Sequence, residues 1–157
     1  MQYISVAHQK SLDQTYRVSV IIVLAFCFTP ILLMILGRFI GARGTVLEEP
    51  TLELIKKLAY GSTLIFGVLV VVLRRFGMAL LMGKRKRSVL AVLGNLRLLT
   101  LISAALGELV TVIGFVAFSL TGDYEYCWRL GVVGLLLILY SFPRRWDWDR
   151  ALANAQD

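Results

Sequence analysis

The segment 98–121, LLTLISAALGELVTVIGFVAFSLT, constrains the fold of this chain more than any other stretch. It is apolar over the roughly 20 residues that a helix needs to cross a bilayer, yet it carries an acidic residue, Glu108, near its midpoint. A charged carboxylate at that depth costs roughly 2.5–3.5 kcal/mol on insertion scales. The sequence therefore predicts either a protonated, hydrogen-bonded Glu108 or a Glu108 that holds or passes a cation.

Three further apolar segments are candidates for membrane-spanning helices. Hydrophobic residues make up 58% of the 157-residue chain, whereas soluble domains have about 45–50%, and the excess is concentrated in these segments. We therefore predict an all-α integral membrane protein that forms one membrane domain, with four transmembrane helices arranged as two hairpins. The predicted spans are 18–36, 58–80, 98–121 and 128–142, and a basic cytoplasmic loop at about 83–97 joins the hairpins.

The basic residues determine the predicted orientation. Most of the 17 Lys and Arg residues fall near the N-terminus, between 74 and 97, or after 143, and such residues concentrate on the cytoplasmic side of membrane proteins. Both termini are therefore predicted to be cytoplasmic. The net charge of +7 indicates contacts with anionic lipid headgroups rather than with nucleic acid. The predicted headgroup contacts are Arg74, Arg75, Lys84, Arg85, Lys86 and Arg87.

Residue types that carry catalysis or metal binding are sparse. The two cysteines, Cys27 and Cys127, lack a CxxC spacing, and the single histidine, His8, lies in the polar N-terminal stretch. The sequence contains no Ser/His/Asp set, zinc-ligand spacing, glycine-rich phosphate loop or paired carboxylates. We therefore predict a protein that is not an enzyme and that uses no cofactor or metal.

No basic residue is predicted at the depth of Glu108. Thr29 and the carbonyl that Pro30 releases in the first span are expected there, because proline removes one helical hydrogen bond. We expect Glu108 to be neutral and to donate a hydrogen bond to one of these groups. The surrounding helix surface is rich in small residues, which permit close helix contact: Ser103, Ala104, Ala105, Gly107, Thr111 and Gly114. Such a surface is typical both of ordinary helix packing and of a protonatable site.

The motif AALGELVTVIGFVAFSL, followed by a short turn and a second apolar helix, resembles the carboxylate helix of the rotary ATP synthase c/K proteolipids. The two-hairpin layout with FPRRW after the last span also resembles small four-span bacterial membrane proteins of unknown function. The resemblance covers 98–148, and it implies that Glu108 corresponds to the ion-carrying carboxylate and that the chain resides in a bacterial cytoplasmic (inner) membrane. The first span lacks the glycine repeat of the proteolipids. Because Leu109 and Val110 rather than hydroxyl residues follow the acid, the pattern favours a proton over sodium.

Two functions follow from these observations, and a third, a membrane enzyme, lacks a recognisable set of catalytic residues. The first is a non-catalytic integral subunit or scaffold of a larger membrane complex, in which Glu108 lies at a helix contact. The second is a proteolipid-like protein that handles protons through Glu108. Both require partners in the bilayer, either other membrane subunits or further copies of the chain.

Overall fold

The computed structural model of the chain describes residues 6–41, 48–81 and 88–153. The described residues form five helices and no strand, which confirms the predicted all-α class. The helices are α1 (Val6–Ile40), α2 (Glu49–Leu81), α3 (Val89–Thr121), α4 (Tyr124–Tyr140) and α5 (Arg145–Ala153).

Three of these helices are long and apolar enough to cross a membrane, over Lys10–Ile40, Glu49–Gly77 and Val89–Thr121. Helix α4 qualifies only together with Arg145–Ala151 of α5, as a pair bent by 42°. The part of the chain that the structure describes therefore contains three helices able to span a bilayer, or four if the bent pair is one span. This arrangement agrees with a multi-pass helical membrane protein.

Helices α1, α2 and α3 extend beyond the predicted spans, whereas α4 starts before its span of 128–142 and ends at Tyr140. Helix α1 runs on both sides of 18–36 and continues through Pro30. Helix α3 begins at Val89, so that residues 89–97, which the sequence placed in the basic loop, are helical. The physical reason is that buried apolar side chains continue there at helical spacing: Val89, Val92, Leu93 and Leu96. The predicted headgroup contacts Lys84, Arg85, Lys86 and Arg87 lie outside the described residues.

The turn between α3 and α4 is built from two capping residues. Gly122 adopts the left-handed conformation, with φ 74°, and its N–H donates to the carbonyl oxygen of Phe118 at 2.7 Å. Glycine tolerates this conformation because it has no Cβ. Asp123 then caps α4 by accepting a hydrogen bond from the N–H of Glu125 at 2.9 Å. The short polar turn predicted after Thr121 is thus confirmed.

Helix α3 is the centre of the bundle, since it packs against each of the other four helices. Its contact with α4 is close because glycines face that helix. A Cβ added to Gly114 would lie 2.6 Å from Cβ of Leu130, and one added to Gly107 would lie 3.1 Å from the carbonyl oxygen of Gly134. The two backbones therefore approach as closely as small residues permit.

Helices α1 and α3 run parallel. Val23 and Cys27 pack with Ala104 in one buried cluster, and further along α1 the backbone at Gly37 approaches the ring of Phe118. Helix α2 runs antiparallel to α3, because Ala59 packs with Val110, Ala117 and Phe118 while Gly77 approaches Leu99.

A separate hydrophobic core closes one end of the bundle, which we call the α5 end. It joins the N-terminal part of α1, the start of α3 and one side of α5, with Tyr16 and Leu99 packed against it. Its buried members are Leu12, Val89, Val92, Leu93, Leu96, Trp148 and Ala151. The N-terminal part of α1 and the C-terminal helix α5 therefore lie at the same end of the molecule.

Candidate functional site

Glu108 lies on the flank of the buried surface of α3. The preceding residue, Gly107, is buried against α4, and Thr111, one turn later, is also buried. Glu108 itself is only partly buried, and exposed apolar side chains follow on the outer side of the helix at Leu109 and Val112. The carboxyl group is therefore placed at the border between the bundle and its surroundings.

Thr29 lies near the level of Glu108. Both residues fall between the two points where α1 and α3 meet, at Val23 and at Gly37, so the predicted agreement in depth follows from the parallel packing. Thr29 is partly buried and Pro30 is buried. The predicted hydrogen bond, however, is not present: among the described residues, neither the side chain of Glu108 nor that of Thr29 makes one. Glu108 likewise forms no ion pair with another described residue.

Two hydroxyl groups of α3, within about one and a half turns of Glu108 along the helix, are fully enclosed. Ser103 and Thr111 are each 1% exposed, and their side-chain oxygens have no hydrogen-bond partner. Thr111 packs its Oγ1 against Gly134, where helices α3 and α4 cross. The sequence placed both residues on a small-residue surface. It did not indicate that their hydroxyls would be buried without partners.

A second set of polar contacts lies at the break between α4 and α5. Helix α4 ends before Pro143, which cannot donate a backbone hydrogen bond, and the carbonyls of Phe142 and Pro143 bond outside the helix. Nη2 of Arg74 donates to the carbonyl oxygen of Phe142 at 2.6 Å, and the hydroxyl of Tyr16 donates to that of Pro143 at 3.3 Å. Side chains from α2 and α1 thus bind consecutive carbonyls of the break.

Arg74 is fixed further by an aromatic ring. Its guanidinium carbon lies 5.7 Å from the centre of the Tyr140 ring, within the range of a cation–π contact. The sequence predicted Arg74 and Arg75 alike as lipid-headgroup contacts. In the structure they differ: Arg74 is partly buried and bonded within the protein, whereas Arg75 is exposed. The sequence feature that could have distinguished Arg74 is Pro143. The helix ends before this proline, so the carbonyl of Phe142 is free to accept a hydrogen bond from a long basic side chain.

The remaining arginines near the break also differ in their pairing. Arg145 bonds to Asp13 at 2.5 Å and lies 3.8 Å from Asp149, so its charge is balanced by carboxylates. Arg144 is exposed and forms no ion pair with any residue that the structure describes. The neighbouring tryptophans are equally distinct, because Trp148 is 2% exposed and Trp146 is 74% exposed.

No group of three or more His, Cys, Asp or Glu residues within the described ranges could hold a metal ion. The chain matches no protein-family model, and comparisons with curated proteins and with solved structures find no similar protein. The likeness of 98–148 to a proteolipid carboxylate helix therefore stays a prediction.

Proposed function

We propose that this chain is a non-catalytic integral membrane subunit that binds another membrane-spanning polypeptide through the side of α3 that carries Glu108. The observation that supports this function is the exposure and lack of hydrogen bonding of the Glu108 carboxyl group. It is partly exposed and lacks a hydrogen bond to any described residue, although it belongs to a helix able to span a membrane. In hydrocarbon, an unbonded polar group is costly.

A partner helix would remove this cost by supplying a hydrogen-bond donor or acceptor. The exposed neighbours Leu109, Val112 and Val116 give the same side of α3 an apolar surface against which a helix can pack. Interhelical hydrogen bonds between membrane helices contribute about 0.6–2 kcal/mol each. Glu108 then fixes the position of the partner, and packing supplies the remaining affinity. The partner is a different membrane protein or a second copy of this chain.

The test is purification from the native membrane in a mild detergent, followed by native electrophoresis and identification of the proteins that travel together. We expect the wild-type chain to migrate in a larger assembly. Glu108→Gln should keep that assembly because the amide retains hydrogen bonding, whereas Glu108→Ala should release the chain. Glu125→Ala, at an exposed acid outside the proposed contact, is the matched control. Migration of the wild-type protein as a single chain, unchanged by Glu108→Ala, would overturn the proposal.

Cross-linking distinguishes the two kinds of partner. In a chain with Cys27 and Cys127 replaced by Ala, a cysteine at Val112 should form a disulfide between two copies if the partner is the same protein. A cysteine at Leu136, exposed on α4, serves as the control position. Equal cross-linking at both positions would contradict a specific contact through α3.

A proteolipid-like function in proton handling is the second candidate, and the partial exposure of Glu108 favours it as well. A carboxyl at the border of the bundle is accessible to a hydrophobic carbodiimide dissolved in the membrane. Covalent labelling of Glu108, together with loss of proton flux but intact assembly in Glu108→Gln, would support this function over the structural one. No labelling in the native membrane would count against it. The predicted bacterial inner-membrane location and cytoplasmic termini belong to both proposals.

A further inference from the structure

We propose that Arg74 and Arg144 together bind the phosphate group of an anionic phospholipid at the α5 end of the bundle. This site is separate from the contact proposed for Glu108 and does not depend on it. The proposal rests on a bonded arginine on α2 and on an unpaired arginine just before α5, two residues after the carbonyl that the first arginine binds.

Arg74 is held in place and still has N–H groups that are free to donate hydrogen bonds. One of its five N–H groups is used by the carbonyl of Phe142, and the guanidinium lies over the Tyr140 ring. A guanidinium presents pairs of donors that match a phosphate. Because this guanidinium is already fixed by two contacts, binding a phosphate would order little further side-chain freedom.

Arg144 brings a second positive charge to the same place. It lies two residues after Phe142, whose carbonyl oxygen is 2.6 Å from Nη2 of Arg74, so the two arginines meet at the break. Two like charges brought close together repel each other. Asp147 is near enough to attract Arg74, but neither arginine forms an ion pair with a described residue. An anion between the two guanidiniums would relieve the repulsion, whereas Arg145 is already paired with Asp13.

The position in the bundle favours a lipid as the source of the phosphate. Arg74 follows Lys57 by about 25 Å of helix, close to the thickness of the hydrocarbon layer, so it reaches the headgroup level. Leu136 and Tyr140 lie one turn apart on α4 and are 60% and 41% exposed. They provide an apolar surface for the acyl chain of a lipid whose headgroup lies at Arg74 and Arg144.

The experiment compares lipid binding by the detergent-purified full chain and by Arg144→Gln, using native mass spectrometry and thermal unfolding. The probes are phosphatidylglycerol, phosphatidylcholine and inorganic phosphate. We expect phosphatidylglycerol to bind and stabilise the wild-type chain more than phosphatidylcholine does, and we expect Arg144→Gln to weaken that binding about tenfold. Arg38→Gln removes the same charge from an exposed arginine at the other end of α1 and should bind like wild type.

Each contrary result has a defined meaning. Unchanged binding in Arg144→Gln, or an equal loss in Arg38→Gln, would overturn the site, because the attraction would then be diffuse. Equal binding of phosphatidylcholine would overturn the preference for an anionic lipid. Stabilisation by inorganic phosphate as strong as that by phosphatidylglycerol, and equally sensitive to Arg144→Gln, would overturn the lipid as the ligand.

Discussion

Arg74 and Phe142, 68 residues apart in the chain, are joined by a 2.6 Å hydrogen bond from a guanidinium Nη2 to a backbone carbonyl oxygen. The bond connects the second half of α2 to the break between α4 and α5. Helix α2 makes few contacts with α4 itself, and this bond joins α2 to the segment that follows α4. A residue that resembles a lipid anchor in the sequence is therefore also part of the tertiary structure.

The first prediction concerns this bond. Arg74→Leu should lower the free energy of unfolding by about 1–3 kcal/mol, because it leaves the Phe142 carbonyl without its partner. Unfolding can be followed by the reaction of a thiol-specific dye with Cys27 and Cys127, which are both buried. The adjacent variant Arg75→Leu is the control and should unfold like wild type, since Arg75 is exposed. Equal stability of the two variants would show that the bond contributes nothing.

The second prediction compares the two tryptophans of α5, Trp146 and Trp148. Trp148→Ala should cost about 3–5 kcal/mol within the core of the α5 end, because it leaves a large cavity. Trp146→Ala should have little effect, because that side chain is 74% exposed. Hydrogen exchange along 145–153 is the measurement, and only Trp148→Ala is expected to accelerate it. Acceleration by both variants would mean that α5 is held by something other than this core.

The third prediction tests the contact between α3 and α4. A Cβ at Gly134 would lie 2.6 Å from the carbonyl oxygen of Gly107, so Gly134→Ala must push the helices apart and should destabilise the fold by about 1–3 kcal/mol. Gly67→Ala meets nothing within 4 Å and should not destabilise it. Thermal unfolding of the two variants in the same detergent decides the matter. A stable Gly134→Ala would contradict the close packing.

The fourth prediction concerns orientation in the membrane. In a chain without Cys27 and Cys127, a cysteine replacing Asp123 should react with an impermeant maleimide applied to intact cells, whereas one replacing Asp149 should react only after the cells are opened. The reason is that basic residues concentrate at the α5 end, and basic residues favour the cytoplasmic side. The reverse labelling pattern would invert the predicted topology.

Each predicted span falls on one of the helices because its signal is local, although α1, α2 and α3 run well beyond the spans. Each span is an apolar run whose length can be compared with the bilayer. The turn at Gly122 and Asp123 was equally local, since both residues act within a few positions of themselves. The start of α3 at Val89 was missed because the basic run before it and Asn95 and Arg97 within it resembled a loop. The apolar residues at 89, 92, 93 and 96 recur at helical spacing, and only their burial depends on α1 and α5, which cover them.

The candidate site was predictable in part. The depth shared by Glu108 and Thr29 followed from counting residues along two parallel helices, but their hydrogen bond did not form, because depth does not determine which way a side chain faces. The tryptophans at 146 and 148 read alike in the sequence and differ entirely in burial. Their difference depends on the side of α5 that meets α1 and α3.

The sequence by itself determined that this chain is helical and suited to a membrane. The physical reason is that a long apolar run in lipid must satisfy its backbone hydrogen bonds internally, which a helix does. Only the tertiary structure decided which polar groups find partners: Arg74 and Tyr16 bind carbonyls of the break, Arg145 pairs with Asp13, and Glu108 is left at the border of the bundle. The residues in each of these pairs are far apart in the sequence, so their contacts form only when the helices pack together.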